Sequence, residues 1–288
     1  MPKSPAELLL EKADKKASSS TGWFSSSSTK WEDAGDLYQQ AANSFRVEKQ
    51  FKAAGDAFSR EAECRENCNE NNDAANAWWN AAKAYKKDDP LAAIQALGRT
   101  ISHLTKLGRF RQAADREKDI AVIYEQQLHD IAKAAESYTR AAEWYEQEEA
   151  AATASACRKS AADLCAQVED YRGAIQLYDM VANYALKSNL TKYSVKDYWL
   201  RSGLCALAMR DVGKAQRDIE VFKSKDITFS STRECKFLED ICACVTEGDE
   251  NAFTAAAFEY DQVTKLDEWK ASILMKIKRT LKDEVDIL

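Results

Sequence analysis

A small residue followed four positions later by a large apolar one recurs along this chain at a nearly constant step. In DIAKAAESYTRAAEWY, residues 130–145, the pair is Ala134 and Tyr138, and four-residue spacing puts both on one helical face. Ala54 stands in the same relation to Phe58, Ala74 to Trp78, Ala93 to Leu97, Ala174 to Tyr178 and Ala215 to Ile219. With Ala113 and Ala154 the anchors fall at 54, 74, 93, 113, 134, 154 and 174, so the intervals are 20, 19, 20, 21, 20 and 20 residues. Each step holds one helix and one turn. Two steps make a hairpin of about 40 residues, a period that belongs to stacked helix-pair architectures.

Only 9 Gly and 3 Pro among 288 residues leave little material for strands and tight turns, so the fold class is all-α, a TPR-like stack of antiparallel helical hairpins. In such a stack each hairpin buries its apolar face against its neighbours, and one elongated unit can run through the chain. The excess of 47 acidic over 41 basic residues gives a net charge of −6, a poor footprint for general nucleic-acid binding. No run of about 18 apolar residues could span a bilayer, and the three-leucine core of MPKSPAELLLEKADKK is too short for a signal peptide,. A soluble, cytosolic protein is expected. Cys157, Cys165, Cys205, Cys242 and Cys244 lie within apolar helical stretches, as small buried thiols do,. Cys64 and Cys68 are one helical turn apart, but there are only two histidines, His103 and His129, and no second Cys pair of matching spacing. The cysteines therefore read as core thiols, with no metal and no cofactor expected.

Ser4-Pro5-Ala6-Glu7 predicts a capping box and a first helix ending near Ala17,. Residues 18–29 are then Ser, Thr or Gly except for Trp23 and Phe24. Two adjacent aromatics in a polar loop either tuck against the first helices or touch a membrane, where each buried ring contributes about 2 to 3 kcal/mol. Thr29-Lys30-Trp31-Glu32 predicts a second capping box. From there helices are expected over about 30–46, 51–67, 72–86, 90–106, 110–127, 130–147, 150–167 and 171–187,. Even spacing then breaks at LKSNLTKYSVKDYW, read as a longer connection before a helix ending near Met209. Further helices are expected over Val212 to Lys223, from Ser231-Thr232-Arg233-Glu234, and from Ala252 to the end. The resulting division is 1–29, amino-terminal helix and loop; 30–223, helical-hairpin region; and 224–288, carboxyl-terminal bundle and acidic tail.

No glycine-rich phosphate loop, nucleophile elbow or zinc-peptidase signature is present, so no catalytic residues are assigned,. What remains is surface. Arg109, Arg111, Arg158, Lys159, Lys192, Lys196, Arg201, Arg233 and Lys236 come from successive hairpins and could form a basic strip for an elongated acidic partner,. At the other end Asp283, Glu284 and Asp286 lead to Ile287 and Leu288, an acidic tail with apolar tips that suits a basic, partly apolar surface.

Eight blocks in order resemble the soluble NSF attachment protein family, most of all its alpha form. They include AGDLYQQAANSF (34–45), FKAAGDAF (51–58), NAAKAYKKDDPLAAI (80–94), GRF (108–110), IYE (123–125) with DIAKAAESY, KYSVKDYW (192–199), STRECK (231–236) and EYDQVTKLDEW (259–269). The resemblance runs from the first helix to the last residue. It implies a twisted sheet of helical hairpins closed by a carboxyl-terminal bundle. It implies an adaptor, not an enzyme, which binds the four-helix SNARE bundle through its inner face, recruits the hexameric ATPase NSF and stimulates it to dismantle the bundle. Such an adaptor is cytoplasmic and peripherally associated with membranes.

By the same resemblance, SNARE contacts map onto Arg109, Lys192, Arg201 and Arg233, and membrane contact onto Trp23 and Phe24. The family's near-terminal leucine, which stimulates NSF, falls on Ile287, beside Leu288, with Asp283, Glu284 and Asp286 preceding. Elsewhere the chain departs. A family lysine falls on Asp115, and a lysine pair on Ala156 and Ser160; Arg158 and Lys159 are the candidates to substitute. Two other readings are compatible with helical repeats. A peptide-gripping TPR adaptor would show a step of about 34 residues, and a subunit like the alpha chain of a protein prenyltransferase would need a catalytic partner.

Overall fold

The computed structural model describes residues 3–19 and 27–285, and every regular element among them is helical. The chain divides into two compact units, residues 1–150 and 151–288.

In the first unit seven helices follow one another: α1 (Pro5–Ser18), α2 (Ser27–Val47), α3 (Phe51–Asn67), α4 (Asn71–Tyr85), α5 (Pro90–Lys106), α6 (Phe110–Ile123), extended by a π turn (Tyr124–Leu128), and α7 (Ile131–Gln147). Each helix packs chiefly on the ones before and after it in sequence. That is the nearest-neighbour burial expected of a repeat. The anchors are its seam: Ala54, Ala74, Ala93, Ala113 and Ala134 have no exposed surface, and Phe58, Trp78, Leu97 and Tyr138 stand buried one turn on. A methyl at each close approach lets neighbouring helices come near enough for the large side chains to interdigitate. Between α3 and α4 the approach is closer still, because a Cβ on Gly55 would lie 2.5 Å from the Tyr85 ring.

The corners share one device. Lys49, Asn69, Gly108, His129, Glu149, Glu169, Arg210 and Gly248 all have φ between +53° and +69°. At most of these the next residue's amide bonds back five positions, as Gln50 N does to Phe45 O, Glu70 N to Arg65 O and Arg109 N to Leu104 O. This is the Schellman closure, which satisfies carbonyls the ended helix leaves open. The next helix begins two residues after the left-handed one. Asp130, Asp170, Asp211 and Asp249 then accept amides of the first turn of α7 and of the corresponding helices downstream.

The second unit comprises α8 (Ala151–Gln167), α9 (Tyr171–Ala185), α10 (Asn189–Lys192), α11 (Val195–Ala208), α12 (Val212–Lys225), a 3-10 turn (Ile227–Ser231), α13 (Arg233–Glu247), α14 (Glu250–Val263) and α15 (Glu268–Val285). Here α11 is the hub, packing on α9, α12, α13 and α15, while α15 also reaches α8. Helix α11 therefore has little wet face: from Trp199 to Leu207 every residue is buried. Trp199 stacks on Phe222 at 5.0 Å and meets Phe229 edge-on at 4.9 Å.

Most helix limits fall where the pattern put them. The Ser4 capping box is present in full, and Thr232 caps α13 through Cys235 N. Two expectations are corrected. Thr29 does not cap α2, which starts at Ser27, so the Thr29-to-Glu32 spacing lies inside the helix and Glu32 is met instead by the Ser28 hydroxyl at 2.7 Å. The LKSNLTKYSVKDYW stretch is largely helical too. It forms α10 and the first turns of α11, because Ser188 caps Leu190 N and restarts the helix.

One buried acid in the first unit sets a pH dependence. Glu61 on α3 is 3% exposed; Gln39 donates to its Oε1 at 2.9 Å, and its Oε2 has no partner among the described residues. Burial raises its carboxyl from an ordinary 4.5 to about 7, outweighing the nearby Arg65. The native state then holds a proton that the unfolded chain has released, so stability falls as pH rises from about 4.5 through 7 and stays lower above,. Glu61→Gln is expected to remove that slope, raising stability at pH 8 by on the order of 2 kcal/mol and changing little at pH 4. Urea melts at the two pH values check this; an equal effect at both would contradict it.

Candidate basic interaction surfaces

Arg109 stands at the corner between α5 and α6. It occupies the N-cap of α6; Asp holds that position and accepts first-turn amides at α5, α7, α9, α12 and α14, whereas Gln50 at α3 and Glu70 at α4 make no side-chain cap either. Arg109 caps nothing, and with Arg111 it places two exposed cations at the positive end of the helix dipole, which costs about 0.3 to 1 kcal/mol each. No carboxylate among the described residues pairs with Arg109, while its amide, bonded to Leu104 O, fixes where the side chain leaves the corner.

In the second unit the expected basic residues separate into two kinds. Arg233, the first residue of α13, is exposed and has no carboxylate partner among the described residues. With Lys236 it borders a cleft of about 180 Å³ that also reaches Phe237, Tyr260 and Val263. Lys192 is half-buried and paired with Asp226 at 3.2 Å. Lys196 pairs with Glu234 at 3.1 Å and lies over the Tyr193 ring at 4.6 Å. Both lysines line a wider cleft of about 460 Å³ above Trp199 and Phe229.

Arg201 is of the other kind. It is 5% exposed, with Nε 2.9 Å from Asp197, Nη1 3.2 Å from Asp163, Nη2 2.5 Å from Asp267, and the guanidinium 4.6 Å over Trp269. Lys270 reaches the same Asp197 at 2.6 Å, and Tyr178 donates to Asp163 at 2.5 Å. Burial opposes the charge, yet Asp197 and Asp163 hold Arg201 protonated beyond its ordinary range. Its donors are spent inside the unit, tying α8, α11 and α15 together. Arg158 is likewise buried, and Lys159 pairs with Asp163 at 2.7 Å. The accessible candidates are therefore Arg109 and Arg233, with Lys159 and Lys192 half-buried and each paired with an Asp.

Apolar groups beside these cations were not singled out by the sequence pattern. Leu190 is 94% exposed, Ile227 83% and Tyr193 78%, and Tyr193 belongs to the Lys192 cleft. Their signal was the apolar residue inside a short polar connection, where no core can claim it. Trp23, Phe24, Asp286, Ile287 and Leu288 lie outside the described residues, and of Asp283 and Glu284 only the backbone, within α15, is described. Among the described residues no group of three or more His, Cys, Asp or Glu could hold a metal ion, and no helix is long and apolar enough to cross a membrane.

An exposed cation at a helix start in each unit, without a carboxylate partner among the described residues, suits a partner that carries acid,. The family model "Soluble NSF attachment protein, SNAP" matches residues 4–282. The chain belongs to this family. It is 60% identical to the vesicular-fusion protein SEC17 of Coprinopsis cinerea over 98% of both chains. Human alpha-soluble NSF attachment protein is 36% identical over 98% of this chain and 97% of its own, and the Saccharomyces cerevisiae alpha-soluble NSF attachment protein 35% over 99% of each.

Proposed function

We propose that this chain is a vesicle-fusion adaptor: it binds assembled SNARE bundles, recruits NSF and stimulates the ATPase that takes the bundles apart, without being an enzyme itself. What carries the reading is the full-length family match, residues 4–282, together with a SEC17 relative aligned over 98% of both chains. The physical account is electrostatic. Arg109 and Arg233, exposed and unmatched within their own units, meet acidic side chains of the bundle, and Lys192 exchanges its intramolecular Asp226 for a partner carboxylate,. Arg158 lies nearer the core and supports that surface, while Lys159, half-buried like Lys192, can exchange Asp163 in the same way. Arg201 acts at one remove, by holding the helices that carry it. The tail from Asp283 to Leu288 offers acid and two apolar tips to NSF, and Trp23 and Phe24 rest in a membrane surface, giving a cytoplasmic protein a weak, reversible hold on it. No nucleic acid is involved.

An immobilised SNARE bundle should capture the chain, and should then capture NSF only when the chain is present. The double variant Arg109→Glu/Arg233→Glu should bind the bundle at least about tenfold more weakly in low salt, with a flatter salt dependence. Unchanged affinity across a salt titration would remove these two residues from the contact, and NSF capture without the chain would remove the adaptor role.

A further inference from the structure

Trp78 and Trp79 are neighbours on α4, so about 100° of helix rotation separates them and one core cannot claim both. Trp78 takes the interior, 9% exposed, with Nε1 donating to Glu66 at 2.8 Å. Trp79 is left beside a cleft of about 330 Å³ between α4 and α6, with Leu97 of α5 behind it. Positions 79 and 83 share one face of α4, with Lys86 just past its end, as 116 and 119 share one of α6,. Lys83 Nζ stands over the Trp79 ring, 4.0 Å from its centre, and the Arg116 guanidinium stands 4.3 Å from the same centre. Lys86 also lines the cleft, where Asp119, 3.1 Å from Arg116, is the one carboxylate among the described lining residues. Three cations thus face one acid over an indole platform. The imbalance is felt: burial, and then the charges of Arg46 and Arg116, lower the proton affinity of Lys83. Arg116 lies two turns along α6 from Arg109, so the cleft continues the stripe on which that exposed cation sits.

We infer that this cleft is a carboxylate-binding subsite, in which Lys83 and Arg116, seated on Trp79, grip an Asp or Glu side chain of the acidic helical bundle. The inference rests on the adaptor reading above and extends it to residues that no relative's name or family match assigns. A protruding carboxylate suits the geometry better than a bilayer. The Arg116 side chain is only 18% exposed and is held against the indole, whereas lipid phosphates lie in a plane that meets protruding groups. Two nitrogen donors preset on one rigid ring lose little freedom when the anion arrives. The chain has Asp115 where its resemblance expected a lysine, and Arg116 of this cleft restores positive charge on the same helix.

The test uses the full chain and a purified, assembled SNARE bundle. Lys83→Gln/Arg116→Gln should bind on the order of tenfold more weakly in low salt and lose part of the salt dependence, while Lys83→Arg/Arg116→Lys, which keeps both charges, should stay near the parent. Lys83 is exposed, so the single Lys83→Gln variant folds as the parent does and should still weaken binding about threefold. Binding to anionic vesicles should be the same for all. If the parent binds the bundle and the Gln variants bind equally well, the subsite is overturned and the adaptor reading stands. If the Gln variants lose vesicle binding and keep the bundle, the occupant is a lipid phosphate and the inference fails. A parent that does not bind the bundle at all takes both readings down.

Discussion

Arg201→Ala is expected to destabilise the second unit by about 3 to 5 kcal/mol, the usual cost of removing one partner from a buried ionic cluster. The guanidinium is the common partner of Asp163, Asp197 and Asp267. Without it Asp197 keeps Lys270 and Asp163 keeps Lys159 and Tyr178, but all three carboxylates lose a donor and Trp269 loses the cation over its ring. Burial pushes Asp197 toward protonation, and Arg201 heads the groups that hold it ionised, below its ordinary range. The destabilisation should therefore shrink in acid, as Asp197 takes up a proton and no longer needs a cation. Thermal unfolding should show a midpoint lower by about 10 °C at pH 7, taking roughly 2 to 4 °C per kcal/mol for a unit of this size. Arg201→Lys should recover part of the loss, since an ammonium can meet some of the carboxylates but not hold all three in one plane. A variant that melts like the parent yet fails to bind the SNARE bundle would show that Arg201 reaches the partner directly, contrary to its 5% exposure.

Trp199→Ala should cost about 3 to 5 kcal/mol in the same unit. The indole is 1% exposed between Phe222 and Phe229, themselves 6.1 Å apart edge to face, so its loss opens a cavity walled by rings that cannot collapse into it. Trp199→Phe is the informative companion. The Trp199 Nε1 has no hydrogen-bond partner among the described residues, so phenylalanine loses volume but also removes an unsatisfied buried donor, and should cost clearly less than alanine. Chemical denaturation of the three proteins decides this; equal losses for Ala and Phe would mean that the ring's volume is not what the core needs.

How much of this could be read in advance depends on which physical effect fixed each feature. The Ala54, Ala74, Ala93, Ala113 and Ala134 seam was legible because close helix approach admits one small side chain per turn, and a periodic steric demand leaves a periodic sequence. The Ser4 cap was legible from its local hydrogen-bonding pattern, and Ser231-Thr232-Arg233-Glu234 marked the start of α13, where the cap is Thr232,. The corners were less so. Lys49, Glu149, Glu169 and Arg210 adopt left-handed backbone without being glycine or asparagine, because the Schellman bonds and the following helix offset a modest local strain. Thr29 misled because a Ser/Thr-x-x-Glu spacing fits within a helix as well as at its start.

For the site, sequence gave charge but not depth. Arg109 and Arg201 look alike on paper; one is an exposed cation at a helix start and the other the centre of a three-carboxylate cluster, and only the folding of Asp163 and Asp267 toward Arg201 from distant parts of the chain separates them. The Trp79 cleft was hidden for a related reason. Arg116 lies 33 residues from Lys83 and 30 from Lys86 in sequence, and the adjacent tryptophans mark the cleft only once it is known which of the two faces inward.

The adaptor account is tested most directly by the steady-state ATPase rate of purified NSF, measured with this chain, with and without an assembled SNARE bundle, and again with a chain lacking Ile287 and Leu288. The account predicts stimulation that rises when the bundle is added and is lost with the two residues, while bundle binding by the shortened chain is unchanged. An NSF rate that stays at its basal value with the folded, bundle-bound full chain would contradict it.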